Sequence, residues 1–228
     1  MHPFTPPRRQ SRPYRLLGRC GLLLAALLLG LPASEALAQA NPRSTFPGRR
    51  IGGGTRGECT ARLLAHLVPP ASVFAPGASR TLGLLEGPVA TPRPVLLELQ
   101  PFSSVSGGVD RASLGRTSRD LPASPAGVTL ISLASFSGSM LWESSYRCGN
   151  DGPPGEADPL AFVDAVAPPA LSLLVSDVTP ADRPVQEALA RLKAACGRAV
   201  PRQEVAQAFG LEDLISAEWP ASLPVRCL

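Results

Sequence analysis

The chain has 228 residues, with 22 Lys and Arg against 18 Asp and Glu and an apolar fraction of 44%. That length and content suffice for one sizeable hydrophobic core and exclude a disordered or fibrous chain. The formal net charge of +4 comes mostly from the first 40 residues, so it marks neither a nucleic-acid partner nor a membrane surface.

Residues 1–40 have the three-part form of a secretory signal peptide. Arg8, Arg9, Arg12, Arg15 and Arg19 make a basic stretch without an acid. An apolar run from Gly21 to Leu31 follows and stops at Pro32. Ala38-Gln39-Ala40 then predicts cleavage before Asn41. A membrane span needs about 20 apolar residues, and Arg19, Pro32 and Glu35 bracket a shorter run. The expectation is a cleaved leader, no stable membrane span afterwards, and a periplasmic or secreted product. Cys20 precedes the apolar run, so it is no lipid-attachment site. Arg8-Arg9 lacks the apolar residues that follow a twin-arginine signal.

Beyond residue 40 the charges balance, with 22 − 5 = 17 basic and 18 − 1 = 17 acidic side chains. They are unevenly spread: 41–119 carries ten Arg and four acids, and 120–228 carries seven bases and thirteen acids. Such halves present a basic surface to an acidic partner, attract each other, or are solvated separately. Four cysteines remain after the leader: Cys59, Cys148, Cys196 and Cys227. In an oxidising compartment an even number reads as two disulfides. Three connectivities are open, and Cys59–Cys148 with Cys196–Cys227 is favoured because each pair falls within one region. No C-x-x-C or C-x-x-H pair suggests zinc.

Residues 41–58, rich in Arg, Pro and Gly, read as an extended arm. From 59 to 167, short β-like runs alternate with Pro, Gly and Ser clusters. The expected strands are 62–68, 81–85, 94–100, 127–133, 139–148 and 161–166. The clearest is 139–148, where Met140, Trp142, Ser144, Tyr146 and Cys148 alternate with Leu141, Glu143, Ser145 and Arg147. Residues 103–124 are polar and predict a long loop or weak edge strands. After Pro168, Leu171, Leu174, Val175 and Val178 fall at helical spacing. Thr179-Pro180-Ala181-Asp182 predicts a helix start, with Val185, Ala188, Leu189, Leu192 and Cys196 as its apolar face and Gly197 as its stop. Pro201 predicts another short helix ending near Gly210, and 211–217 one or two further turns.

The Gly52-Gly53-Gly54-Thr55-Arg56-Gly57-Glu58-Cys59 stretch is no phosphate loop. It lacks the Lys-Ser/Thr ending, and neither a strand nor a helix frames it as in a dinucleotide fingerprint. Its glycines predict a tight turn beside a sheet. Arg49, Arg50 and Arg56 are the candidate binding residues, for a carboxylate or other anion. His66 is the one histidine after the leader, so serine hydrolase chemistry would need it as base, and no G-x-S-x-G elbow supplies the nucleophile. The acids of 148–158 do not fit a calcium loop. Trp142 and Trp219 could stack on sugars, but in a chain with 5% aromatics they read as core.

Pro47-Gly48-Arg49-Arg50-Ile51-Gly52-Gly53-Gly54-Thr55-Arg56-Gly57, followed by Cys59 and Leu64-Ala65-His66-Leu67-Val68-Pro69, resembles the opening of the exported proteins grouped as domain-of-unknown-function family 928. Weaker similarities follow at 126–133, 142–148 and 209–215. The resemblance implies an envelope protein with a β-rich core and a helical tail, and it implies pairing of Cys59 with Cys148. It supplies no catalytic residue. Where that family carries an aromatic-rich strand, 94–100 here is aliphatic.

Together these readings predict an α+β fold: a small antiparallel, Ig-like β-sandwich followed by a C-terminal helical subdomain. The boundaries are 1–40 leader, 41–58 arm, 59–167 sandwich and 168–228 helical region. The expected function is a non-enzymatic envelope binding module. Its partner is an unknown envelope protein or an anionic ligand, without cofactor, metal or nucleic acid. The alternative is a periplasmic hydrolase or carbohydrate-active protein.

Overall fold

The computed structural model describes residues 42–53, 63–102, 115–147 and 168–228. All belong to one compact unit, Gln39–Leu228. The leader, Arg56, Cys59, Cys148, the acidic loop 148–158 and the expected strand 161–166 lie outside the described residues.

The protein is β-rich α+β, with two mixed sheets. One sheet holds β1 (Ile51–Gly52), β2 (Leu64–His66), β4 (Thr81–Glu86), β7 (Gly127–Ser132), β11 (Ser222–Cys227) and β10 (Ala199–Pro201), in that spatial order. The other holds β3 (Val73–Phe74), β9 (Ala170–Leu174), β8 (Ser139–Tyr146), β5 (Val95–Phe102) and β6 (Thr117–Leu121). Three α-helices are described: α1 (Pro42–Thr45), α2 (Arg183–Ala194) and α3 (Arg202–Phe209). The expected strands at 62–68, 81–85, 94–100, 127–133 and 139–148 correspond to β2, β4, β5, β7 and β8.

Pairing is not purely antiparallel, which corrects the expectation. β11 runs parallel to β7, and β3 runs parallel to β9. Both parallel pairs join strands far apart in the chain, with α2 and α3 lying between β7 and β11 in sequence. The segment 168–228 is likewise not wholly helical, because it gives β9 to one sheet and β10 and β11 to the other.

Side-chain alternation distributes the core. On β8, Trp142, Ser144 and Tyr146 are buried on one face. They join a cluster containing Leu84 of β4, Val95 and Leu97 of β5 and Leu174 of β9, so the two sheets share one core. Leu82 and Leu84 of β4 alternate with Thr81, Gly83 and Leu85, whose face turns to α2. An atom at the Cβ position of Gly83 would sit 2.6 Å from Leu189 Cδ2. Glycine here lets the helix lie against the strand.

Helix α2 buries Val185, Ala188, Leu189 and Leu192, four of the five residues expected on its apolar face. It begins at Arg183, one turn later than expected. Helix α3 ends at Gly210, which takes the left-handed conformation (φ 58°) that closes many helices. Val205, Phe209, Leu211 and Trp219 are buried with it in the shared cluster. The Cys196–Cys227 disulfide ties the end of α2 to β11, with 5.8 Å between the Cα atoms, as the sequence predicts.

Candidate functional site

The arm at 42–53 stitches the fold together. Arg49 bridges Leu171 of β9 through a reciprocal backbone pair of 2.9 and 2.7 Å. Two residues later, β1 pairs with β2 in the other sheet. The arm therefore crosses from one sheet to the other, as strands at sheet corners do. At Gly52 a Cβ would come within 2.4 Å of the Ala170 amide nitrogen, so only glycine permits this approach of two backbones.

The two described candidate arginines, Arg49 and Arg50, do not share a surface. Arg56 lies outside the described residues. Arg49 is exposed, with Nε and Nη2 3.4 and 3.2 Å from the Pro169 carbonyl. Arg50 is buried, which corrects its reading as a ligand-facing side chain. Its Nη1 donates to the carbonyls of Val68 (2.9 Å) and Phe209 (2.8 Å), and its Nη2 donates to Gly210 (2.9 Å). Two of these acceptors end α3, where a cation also meets the negative end of the helix dipole. Burial lowers the Arg50 pKa from its ordinary value. Its backbone amide donates to Ser72 Oγ at 2.9 Å, and Ser72 is held at φ 60°.

Another arginine of the arm, Arg43, went unnoticed in the sequence and is held in an ion pair. Its Nη1 and Nη2 lie 3.3 and 3.0 Å from the two oxygens of Asp182, and Nη2 also donates to the Asp177 carbonyl. Asp182 is fully buried and accepts from the Ala75 amide (3.0 Å), the Thr179 amide (2.7 Å) and the Thr179 hydroxyl (2.8 Å). Burial alone would raise its pKa. The Ala75 and Thr179 amides, the Thr179 hydroxyl and Arg43 outweigh burial and hold the carboxyl below the ordinary aspartate value. The sequence signal was Thr179-Pro180-Ala181-Asp182, but its partner stands 139 residues away.

His66 is sealed between the sheets at 0% exposure. Its ring stacks on Trp142 with centroids 3.5 Å apart and 10° between planes. Nδ1 lies 2.8 Å from Ser172 Oγ, and Nε2 has no hydrogen-bond partner among the described residues. A hydrogen on Nδ1, donated to Ser172, leaves only a lone pair unsatisfied at Nε2, the cheaper of the two neutral arrangements. Burial pushes the imidazole pKa well below the ordinary histidine value. Trp142 Nε1 donates to Ser144 Oγ at 3.0 Å, which satisfies the indole inside the core. A histidine beside a serine is half of a hydrolytic pair, but among the described residues no carboxylate orients the ring, and the ring is fully buried.

Trp219 is also buried, at 6% exposure, so neither tryptophan offers a face to a sugar. A second buried acid, Glu86, accepts from Ser124 Oγ at 2.5 Å and from Arg226 Nη2 at 3.2 Å. One open groove of about 340 Å³ runs along α3, with Arg202, Gln203, Gln207 and Glu212 at its rim and Ala206 and Ile215 on its floor. It is carried wholly by the segment closed by the disulfide, and no sequence motif announced it. Among the described residues, no three His, Cys, Asp or Glu side chains converge as metal ligands. No helix among them is long and apolar enough to cross a membrane. Compared with family models, curated proteins and solved structures, the chain finds no match.

Proposed function

We propose that the chain is an exported envelope protein, periplasmic or secreted, acting as a non-enzymatic binding module for an envelope protein or an anionic ligand. The observation that carries the non-enzymatic reading is the state of His66. The one histidine beyond residue 40 is stacked, hydrogen-bonded and sealed, so it reaches no substrate. A serine hydrolase of the Ser-His-Asp type would find this histidine out of reach. The Cys196–Cys227 disulfide supports export, because such bonds persist in oxidising compartments. The resemblance of the 47–69 stretch to domain-of-unknown-function family 928 points the same way.

In this reading the two sheets form an Ig-like β-sandwich of mixed pairing, and α2 and α3 form a helical layer upon it. The binding surface lies on the exposed side of the arm at Arg49, with Arg50 removed from it. The test is recovery of partners from an envelope extract by wild type and by Arg49→Glu. Partners held by wild type and lost by the variant support the assignment. Equal recovery discards it. Ester or glycoside hydrolysis abolished by His66→Gln would overturn the non-enzymatic reading itself.

A further inference from the structure

The seam at His66 brings together parts of both sheets. β2 supplies His66, β8 supplies Trp142 beneath its ring, and β9 supplies Ser172. The His66 amide donates to the Arg50 carbonyl of the arm at 2.8 Å, and Leu84 of β4 is its cross-strand neighbour. The ionisable side chains on these elements are all turned elsewhere. Arg50 is spent on Val68, Phe209 and Gly210. Glu86 of β4 is held by Ser124 and Arg226. Glu143 of β8 alternates with Trp142 and so takes the other face. The Tyr146 hydroxyl donates to the Leu63 carbonyl at 3.3 Å. β9 carries no ionisable side chain. Among the described residues, a protonated imidazole would present two N–H donors to a pocket with one acceptor, Ser172 Oγ, and no opposing charge.

We propose that the His66–Trp142–Ser172 seam is a proton-sensitive latch. Uptake of one proton by His66 opens the contact between the sheets, unstacks Trp142 and lets water reach the ring. The helical layer on the far side of the six-stranded sheet stays closed under the Cys196–Cys227 disulfide. The sign follows from linkage. Burial depresses the imidazole pKa in the closed state, whereas the open state titrates near the ordinary value of about 6.5. The closed form is therefore fully favoured above about pH 6.5. It loses about tenfold in its ratio to the open form for each pH unit below that, until the closed state itself takes the proton.

The two tryptophans of the chain report the two regions separately. In the full chain carrying Trp219→Phe, emission from Trp142 is followed from pH 8 to pH 4, with hydrogen exchange of the α3 amides in parallel. The latch predicts a red shift on acidification, unchanged α3 protection, and no shift when His66→Gln is added. Constant emission, a shift that survives His66→Gln, or loss of α3 protection in the same step overturns it. If the Gln variant does not fold, imidazole NMR on the chain with its native His66 decides. The chain has two histidines, His2 and His66, so His2→Gln leaves one signal. Its titration midpoint must coincide with the emission midpoint, and a separation between them refutes the latch.

Discussion

Removing the Cys196–Cys227 disulfide tests how far the C-terminal segment depends on its covalent tie. The two cysteines are 31 residues apart, and the loop they close contains β10, α3, the groove and β11. The loop-entropy relation gives about 4 kcal/mol for a loop of that length, by restricting the unfolded chain. Little native packing should be lost with it. Cys227 is exposed and Cys196 half-buried. β11 keeps its ladders to β7 and β10 without the sulfurs. The double variant Cys196→Ala/Cys227→Ala should therefore fold, with the pairing of β11 unchanged. For a denaturant slope of about 2 kcal/mol/M in urea, its midpoint should fall by about 2 M. The assay is equilibrium urea unfolding of wild type and double variant, followed by circular dichroism. A fall of less than about 0.5 M would refute the entropic account, because it corresponds to about 1 kcal/mol.

Three further substitutions probe the arm and the helical layer. Arg50→Ala leaves the Val68, Phe209 and Gly210 carbonyls without their donors and should cost about 2–4 kcal/mol in urea unfolding; a cost under about 0.5 kcal/mol, typical of a surface position, would return Arg50 to the solvent. Asp182→Asn breaks a buried ion pair and should cost about 3 kcal/mol at neutral pH. The folded pKa of Asp182 is depressed, so its contribution is present above the unfolded value of about 3.9 and is lost as pH falls through the folded value. Unfolding curves of wild type and Asp182→Asn should converge on acidification, and a constant gap would contradict the ionic account. Gly83→Ala places a Cβ 2.6 Å from Leu189 and 2.9 Å from Leu67, and should lower stability by about 1–3 kcal/mol, read from the thermal midpoint; an unchanged midpoint would mean that α2 can retreat freely.

Where burial was one-sided, residue type and periodicity carried the structure. β8 showed its inner face because polar residues alternate with Trp142 and Tyr146, and α2 showed its face at Val185, Ala188, Leu189 and Leu192. β9 was read as helix because both of its faces are buried. Leu174 lies in the shared core, and Leu173 packs under Val73, Val175, Phe46 and Phe102 on the opposite side. Covering both faces erases the period of two and leaves a short apolar run, which periodicity cannot assign. β6 was faint for the opposite reason, since four of its five residues are exposed. Arg50 could not be told from Arg49 in the sequence because its environment is set by distant chain. Arg50 finds its acceptors 159 and 160 residues away, and no local pattern encodes that meeting. His66 was legible as a strand residue, but its stacking on Trp142 depends on how the two sheets face each other.

Export of a disulfide-braced chain is the central claim, and cell fractionation with intact mass and N-terminal sequencing tests it most directly. The account predicts protein in the envelope or the medium that begins at Asn41 and has Cys196 and Cys227 oxidised. Protein recovered from the cytoplasm, beginning at Met1 and with both thiols free, would contradict it.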